Sequence, residues 1–268
     1  MHARQQRSWL RSFASGLSTQ GAVIRALALR ELQQRFGRQN IGYLWIIAEP
    51  MLLASVVTLL HSLSGLRDES GMSPYTFTLT GYTIFIIFRN TFNRSESALH
   101  TAGNLLYHNM ITPFDIVLSK SLVETIGCVS ALVLLQAAGV MLGLAEPPAR
   151  QLYLYGAILL FAWWSFAWCL VGAAYGYISP LVNRLVHPVT YFAMPLSGAF
   201  ITMSLLPTWG RDYMGWNPMM AVFEMARYGQ FAGAQDRYMY IWYVVAVNTV
   251  VTYWGLLALR IVRKHVHV

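Results

Sequence analysis

Few residues in this chain are able to do chemistry, and their spacing limits what they do. Glu224 and Arg227 stand three apart behind Asn217-Pro218. Asn is a good helix N-cap and Pro suits the first helical position, so a helix from Pro218 to about Phe231 brings the two charges within reach of each other. Lys120 and Glu124, four apart, are spaced to neutralise each other near an interface, the lysine snorkelling toward water. Glu31 and Arg35 share that spacing, while Glu49 beside Pro50 and Arg89 after Phe88 stand in apolar runs. Ionisable groups in such runs are costly and point to function. For Glu224 with Arg227 two readings stand: an ion pair that pins a helix, or a proton relay, which would make the chain a proton-coupled secondary transporter.

Other chemistries lack their residues. Neither Lys120 nor Lys264 follows a glycine-rich phosphate loop, so transport driven by ATP requires another chain to hydrolyse it. There is no His-Glu-x-x-His and no Gly-x-Ser-x-Gly. Ser165 lies inside an apolar run, whereas His61 and His187 sit near the ends of theirs, which does not suit serine proteolysis. No catalytic residue and no metal site is expected, and a membrane enzyme is the weakest reading. Cys128 and Cys169 read as small core residues.

Aromatic residues offer a different chemistry. Phe161, Trp164, Trp168 and Tyr175 fall within about 60° of one another at helical spacing. Such a stripe packs against other helices or lipid, or lines a path for sugar rings, whose C–H faces aromatic rings cover.

The elements that must position these groups follow from composition. Of 268 residues, 56% are hydrophobic and 11% charged, with a mean hydropathy of +0.45. Ordinary soluble domains carry roughly 25% charge. This excludes a soluble enzyme, a disordered chain and, despite a net charge of +8, a nucleic-acid-binding domain. The expectation is one all-α integral membrane domain without a signal peptide. Six transmembrane helices are expected, over about Ile41–Leu63, Pro74–Phe92, Val117–Leu144, Leu152–Ile178, Leu185–Leu206 and Met239–Val262. Arginines crowd residues 1–40, and Arg260, Arg263 and Lys264 the C-terminus, so both termini are expected in the cytoplasm.

Residues 1–40 are read as a cytoplasmic segment, 41–262 as the six-span domain and 263–268 as a cytoplasmic tail. Within the first, Ile24, Ala28, Leu32 and Phe36 recur every four residues, as on an amphipathic helix lying in the inner interface from Gly21 to Gly37. Residues 207–234, between spans five and six, are too apolar for a free loop and too short to cross. They are expected to dip back into the membrane from outside.

These residues resemble a family. Arg30-Glu31-Leu32-Gln33-Gln34-Arg35-Phe36-Gly37, then Leu44-Trp45 and Glu49-Pro50, resemble the start of ABC type-2 exporter permeases for polysaccharides. Asn217-Pro218 with Glu224 and Arg227 is similar to that family's motif before the last span. Leu79-Thr80-Gly81-Tyr82, Phe88-Arg89-Asn90-Thr91, Arg94, Ala98, Asn104-Leu105-Leu106 and Pro113-Phe114-Asp115 resemble its capsule-exporting branch, in which Leu often stands where Phe114 does here. The likeness covers about Arg30 to Arg263.

The resemblance implies a homodimer of six-span subunits in the bacterial inner membrane, with two cytoplasmic ABC ATPase subunits that bind the ATP and Mg. It implies a lipid-linked capsular polysaccharide as cargo and export partners in the periplasm and outer membrane. No cofactor of the chain's own and no nucleic acid is expected. Gly21–Gly37 would be the interface helix. Ala98–Ile111 would be the ATPase-coupling segment, with Asn104, Leu105, Leu106 and Tyr107 at its centre and Glu31 and Arg35 nearby. Asn217, Pro218, Glu224 and Arg227 would belong to re-entrant gate helices. Arg89 and Arg94, with Phe85, Phe88, Phe92 and the stripe Phe161, Trp164, Trp168 and Tyr175, would face the cargo. Export of another lipid-linked glycan, such as O-antigen or teichoic acid, is the alternative within the family.

Overall fold

Proline, glycine and charge divide the apolar sequence into helices. The computed structural model describes residues 2–36, 40–63, 72–103 and 111–266, and among these all regular structure is helical. In chain order the helices are α1 (His2–Phe36), α2 (Asn40–Leu63), α3 (Pro74–Asn93), the one-turn α4 (Ser95–Ala98), α5 (Pro113–Met141), α6 (Gln151–Ile178) and α7 (Pro180–Leu196). A 3₁₀ turn (Met203–Leu205) leads to α8 (Thr208–Met214), α9 (Pro218–Gln230) and α10 (Ile241–Val266). Prolines open α3, α5, α7 and α9, where the missing N–H is one the helix would leave unbonded anyway. At α5, Thr112 accepts from the Asp115 N–H while Asp115 Oδ2 accepts from the Thr112 N–H, a reciprocal cap.

Among the described residues three helices, α5, α6 and α10, are long and apolar enough to cross a bilayer. Two other expected spans differ in kind. Helix α3 carries five threonines in its 20 residues. Helix α7 has 17 residues, about 25 Å, short of the roughly 30 Å hydrocarbon core. The fifth span, expected over about Leu185–Leu206, begins earlier, at Pro180, and its helix ends at Leu196. Gly198 explains the early stop. Its φ of +88° takes the chain out of the helix, and a Cβ there would strike Met220. The irregular stretch that follows is buried at Ser197, Gly198 and Ala199, as non-helical backbone at membrane depth must be.

Helix α6 is the axis of the bundle and packs against α3, α9 and α10. Phe88 of α3 and Phe223 of α9 meet Phe161 edge-on from two sides, at centroid separations of 6.5 and 5.1 Å. Cys128 and Cys169 are buried and unpaired, as their apolar neighbours imply.

The N-terminal helix is longer than expected, reaching from His2 to Phe36, and its buried side is turned by one position. Leu27 and Glu31 are buried; Val23 packs with Leu27 against Ala102, Ile111 and Ile116. The stripe of Ile24, Ala28 and Leu32 lies at the margin, only partly covered. The rotation has a cause. Glu31, which a purely apolar face would exclude, is drawn inward by Lys120 of α5.

Candidate functional site

The most elaborate polar arrangement surrounds α9. Asn217 caps it: its side-chain oxygen accepts from the Met219 N–H (3.0 Å), and its amide donates to Leu196 O (2.6 Å), tying the start of α9 to the end of α7. Two turns on, Glu224 and Arg227 are buried, 8% and 5% exposed, and their Oε1 and Nη1 lie 2.9 Å apart. The same Glu224 oxygen accepts the N–H of Met203 in the 3₁₀ turn (2.9 Å). Arg227 also donates to Gly198 O, and its guanidinium stands 4.6 Å from the Phe77 ring centre of α3. One ion pair thus binds α9, the break after α7, the 3₁₀ turn and α3.

The far end of α9 is held as firmly. Arg150, just before α6, donates to the carbonyls of Tyr228 (2.9 Å), Phe231 (3.2 Å) and Ala232 (3.2 Å), and lies over the Tyr228 ring at 4.1 Å. A cation on the last carbonyls of a helix also meets the negative end of its dipole. Gln136 and Gln230 both donate to Glu146 O. Gly229 has no side chain because the Leu154 backbone occupies the place of a Cβ. The expected helix over Pro218–Phe231 is present as Pro218–Gln230, with its cap and ion pair. The composition and spacing of the chain had marked neither Gly198 nor Arg150. A lone Ser-Gly between apolar runs and an arginine at the lip of a span were the available signals.

At the opposite end of the bundle one expected pairing is corrected. Lys120 does not neutralise Glu124. Lys120 Nζ bonds Glu31 Oε2 of α1 at 2.9 Å, and Glu124 is paired with Arg94, beyond the end of α3. Both interhelical partners satisfy buried or half-buried charges that an intrahelical pair would leave facing apolar neighbours. Glu31 reaches across to α5; the side chain of Arg35, for which its spacing also suits it, lies outside the described residues. Gln20 adds a second tie from α1, donating to Asp115 Oδ1 (3.1 Å). Asn104, Leu105, Leu106 and Tyr107 also lie outside the described residues.

The residues expected to face cargo are spread over different surroundings. Phe85, Phe88, Phe92 and Phe161 are buried in the subunit's own core, and Arg94 is engaged with Glu124. Arg89 is half-buried; it donates to Tyr191 Oη of α7 at 3.4 Å and stands 5.2 Å from that ring's centre. The stripe on α6 runs from core to surface. Phe161 and Trp164 are buried, Trp168 partly so, and Tyr175 is exposed. Trp254 of α10 joins it, 6.5 Å from Trp168 and 5.9 Å from Tyr175, donating to the Tyr175 hydroxyl at 3.2 Å. The indole N–H groups of Trp164 and Trp168 have no acceptor among the described residues. Among those residues no group of His, Cys, Asp and Glu is placed to hold a metal.

The sequence model of the family described as "ABC-2 type transporter" matches residues 22–231. Among known proteins, the capsule polysaccharide export inner-membrane protein CtrC of Neisseria meningitidis serogroup B is 32% identical over 245 residues, covering 91% of this chain and 92% of that one. The capsule polysaccharide export inner-membrane protein BexB of Haemophilus influenzae is 29% identical over 249 residues, 93% and 94% of the two chains. The polysialic acid transport protein KpsM of Escherichia coli is 27% identical over 255 residues, 92% and 95% of the two.

Proposed function

We propose that this chain, which belongs to the ABC-2 type transporter family, is the membrane subunit of an ATP-driven exporter of lipid-linked capsular polysaccharide. Two copies form the channel, six spans each, with both termini in the cytoplasm. ATP and Mg are bound by a separate pair of ATPase subunits, and export partners in the periplasm and outer membrane receive the polymer. End-to-end likeness to two capsule polysaccharide export proteins and a polysialic acid transport protein supports the cargo class. The distribution of charge supports the orientation: the end carrying α1 holds Arg94, Lys120, Arg260 and Arg263.

The observation that carries the mechanism is the Glu224–Arg227 pair with its bonds to Met203 N–H and Gly198 O. A pair joined to three neighbouring segments acts as a latch on the outer gate. It suits a proton relay poorly, since Glu224 already accepts from both Arg227 and Met203. Arg89 beside Tyr191 is assigned to the cargo path, where a guanidinium binds carboxylate or phosphate in two-point fashion. In this reading Trp168, Tyr175 and Trp254 offer ring faces to sugars.

The test is co-expression with a candidate ABC ATPase subunit. The two chains should purify together, and capsule export should cease when the ATPase is inactivated. Export that persists without ATP hydrolysis would overturn the reading in favour of a self-sufficient carrier.

A further inference from the structure

A second polar feature stands apart from the gate and from the α1 contacts. At the α1 end of the bundle, the start of α5 and the last turns of α10 enclose an open groove of about 260 Å³. Its walls are mostly apolar, built from Pro113, Phe114, Leu256 and Leu259 with Thr112 beside them, and Phe114 is backed edge-on by Phe166 at 5.8 Å. Its rim carries two exposed arginines, Arg260 and Arg263, one turn apart on the same side of α10.

Among the described residues the charge of the groove is uncompensated. No carboxylate lines it, and among the described residues neither arginine has an acidic partner within ion-pair distance. Asp115, next to Phe114, is turned away: Oδ2 accepts from Thr112 and Oδ1 from Gln20. Both arginines are exposed, and α10 is the least enclosed of the three long apolar helices. Apolar walls beneath a doubly cationic rim, at the depth where a cytoplasmic leaflet has its phosphates, match one class of ligand. A plain topology anchor needs positive charge alone, not a cavity.

We infer that this groove binds an anionic membrane phospholipid, its phosphate held between Arg260 and Arg263 and the top of an acyl chain lying along Leu256, Leu259 and Phe114. The inference rests on the membrane placement proposed above, with α10 ending at the cytoplasmic face. It does not depend on what is exported. The bound lipid bridges the first turn of α5 and the last turns of α10, which otherwise make few contacts at this end.

Native mass spectrometry of the full-length purified chain tests it, with dioleoylphosphatidylglycerol and dioleoylphosphatidylcholine as probes of equal chain length. The wild type should retain phosphatidylglycerol in preference. The double variant R260Q/R263Q should weaken that binding about thirtyfold and abolish the preference, since each basic residue near a lipid surface contributes roughly a fivefold effect. R260K/R263K, which preserves charge and orientation, should keep most of it. Leu256→Trp leaves both arginines in place and fills the groove, and should also displace the lipid. Equal binding of the two lipids by the wild type, or undiminished phosphatidylglycerol retention in R260Q/R263Q or Leu256→Trp, overturns the site. Because cargo and ATPase are absent, this outcome is independent of whether the chain exports polysaccharide.

Discussion

At the scale of single residues, Glu224 and Arg227 stabilise each other in a place where neither is tolerable alone. Removing one partner of a buried pair costs about 3–5 kcal/mol, because the other charge stays behind without compensation. Glu224→Gln and Arg227→Gln should therefore abolish or grossly impair export while the chain still inserts, as read by surface-capsule staining against membrane abundance. Arg227→Lys should rescue little, because one ammonium cannot reach both Glu224 and Gly198 O while stacking on Phe77. Arg89 calls for the opposite comparison. If it binds cargo through its planar fork, Arg89→Lys should lose most export at normal expression; wild-type export by Arg89→Lys would leave it a positive-inside anchor. The Glu224–Arg227 spacing was legible because both partners sit on one helix, and local periodicity reports such contacts. The partners of Lys120 and Glu124 were not legible. The i,i+4 rule sees only the residue one turn away, whereas Glu31 and Arg94 stand 89 and 30 positions distant in sequence.

Among elements, α1 and α9 show two ways of fixing a helix that does not cross the membrane by itself. Helix α1 rests on α5 through Leu27 and two polar ties, Glu31–Lys120 and Gln20–Asp115. Glu31→Lys should loosen it by about 1–3 kcal/mol, seen as a lower thermal midpoint and faster proteolysis within α1. The reversal Glu31→Lys with Lys120→Glu should restore both, which would separate the pair from a mere charge requirement. Helix α9 instead depends on closeness. Gly229→Ala would put a methyl group into the Leu154 backbone and push α9 off α6, so it should reduce export and lower the thermal midpoint. Helix type and rough extent were readable from apolar length and from Asn-Pro and Pro starts. The end of α7 and the rotation of α1 were not. The first is set by the positive φ of Gly198 against Met220, the second by a salt bridge to another helix, and neither leaves a periodic trace.

For the whole molecule, the bundle has two dissimilar ends, a basic one with α1 and an aromatic one with α8 and α9. In the proposed exporter, coupling to an ATPase belongs to the first. Replacing Leu105 and Leu106 with Asp, in the stretch outside the described residues, should abolish co-purification of the ATPase while leaving membrane abundance unchanged; intact binding would move the contact elsewhere. At the other end, the fastening of α9 has a kinetic consequence. Asn217 holds its first turn, Arg150 its last and the ion pair its middle. Such a helix cannot fray from a terminus, so its amides become open to solvent only when all three fastenings release together. In hydrogen–deuterium exchange, residues 219–230 should take up label as one block with a single rate, and Arg150→Gln should split that block so that its C-terminal turn exchanges first. If α9 is the proposed outer gate, its opening is then one concerted event, timed by the slowest fastening.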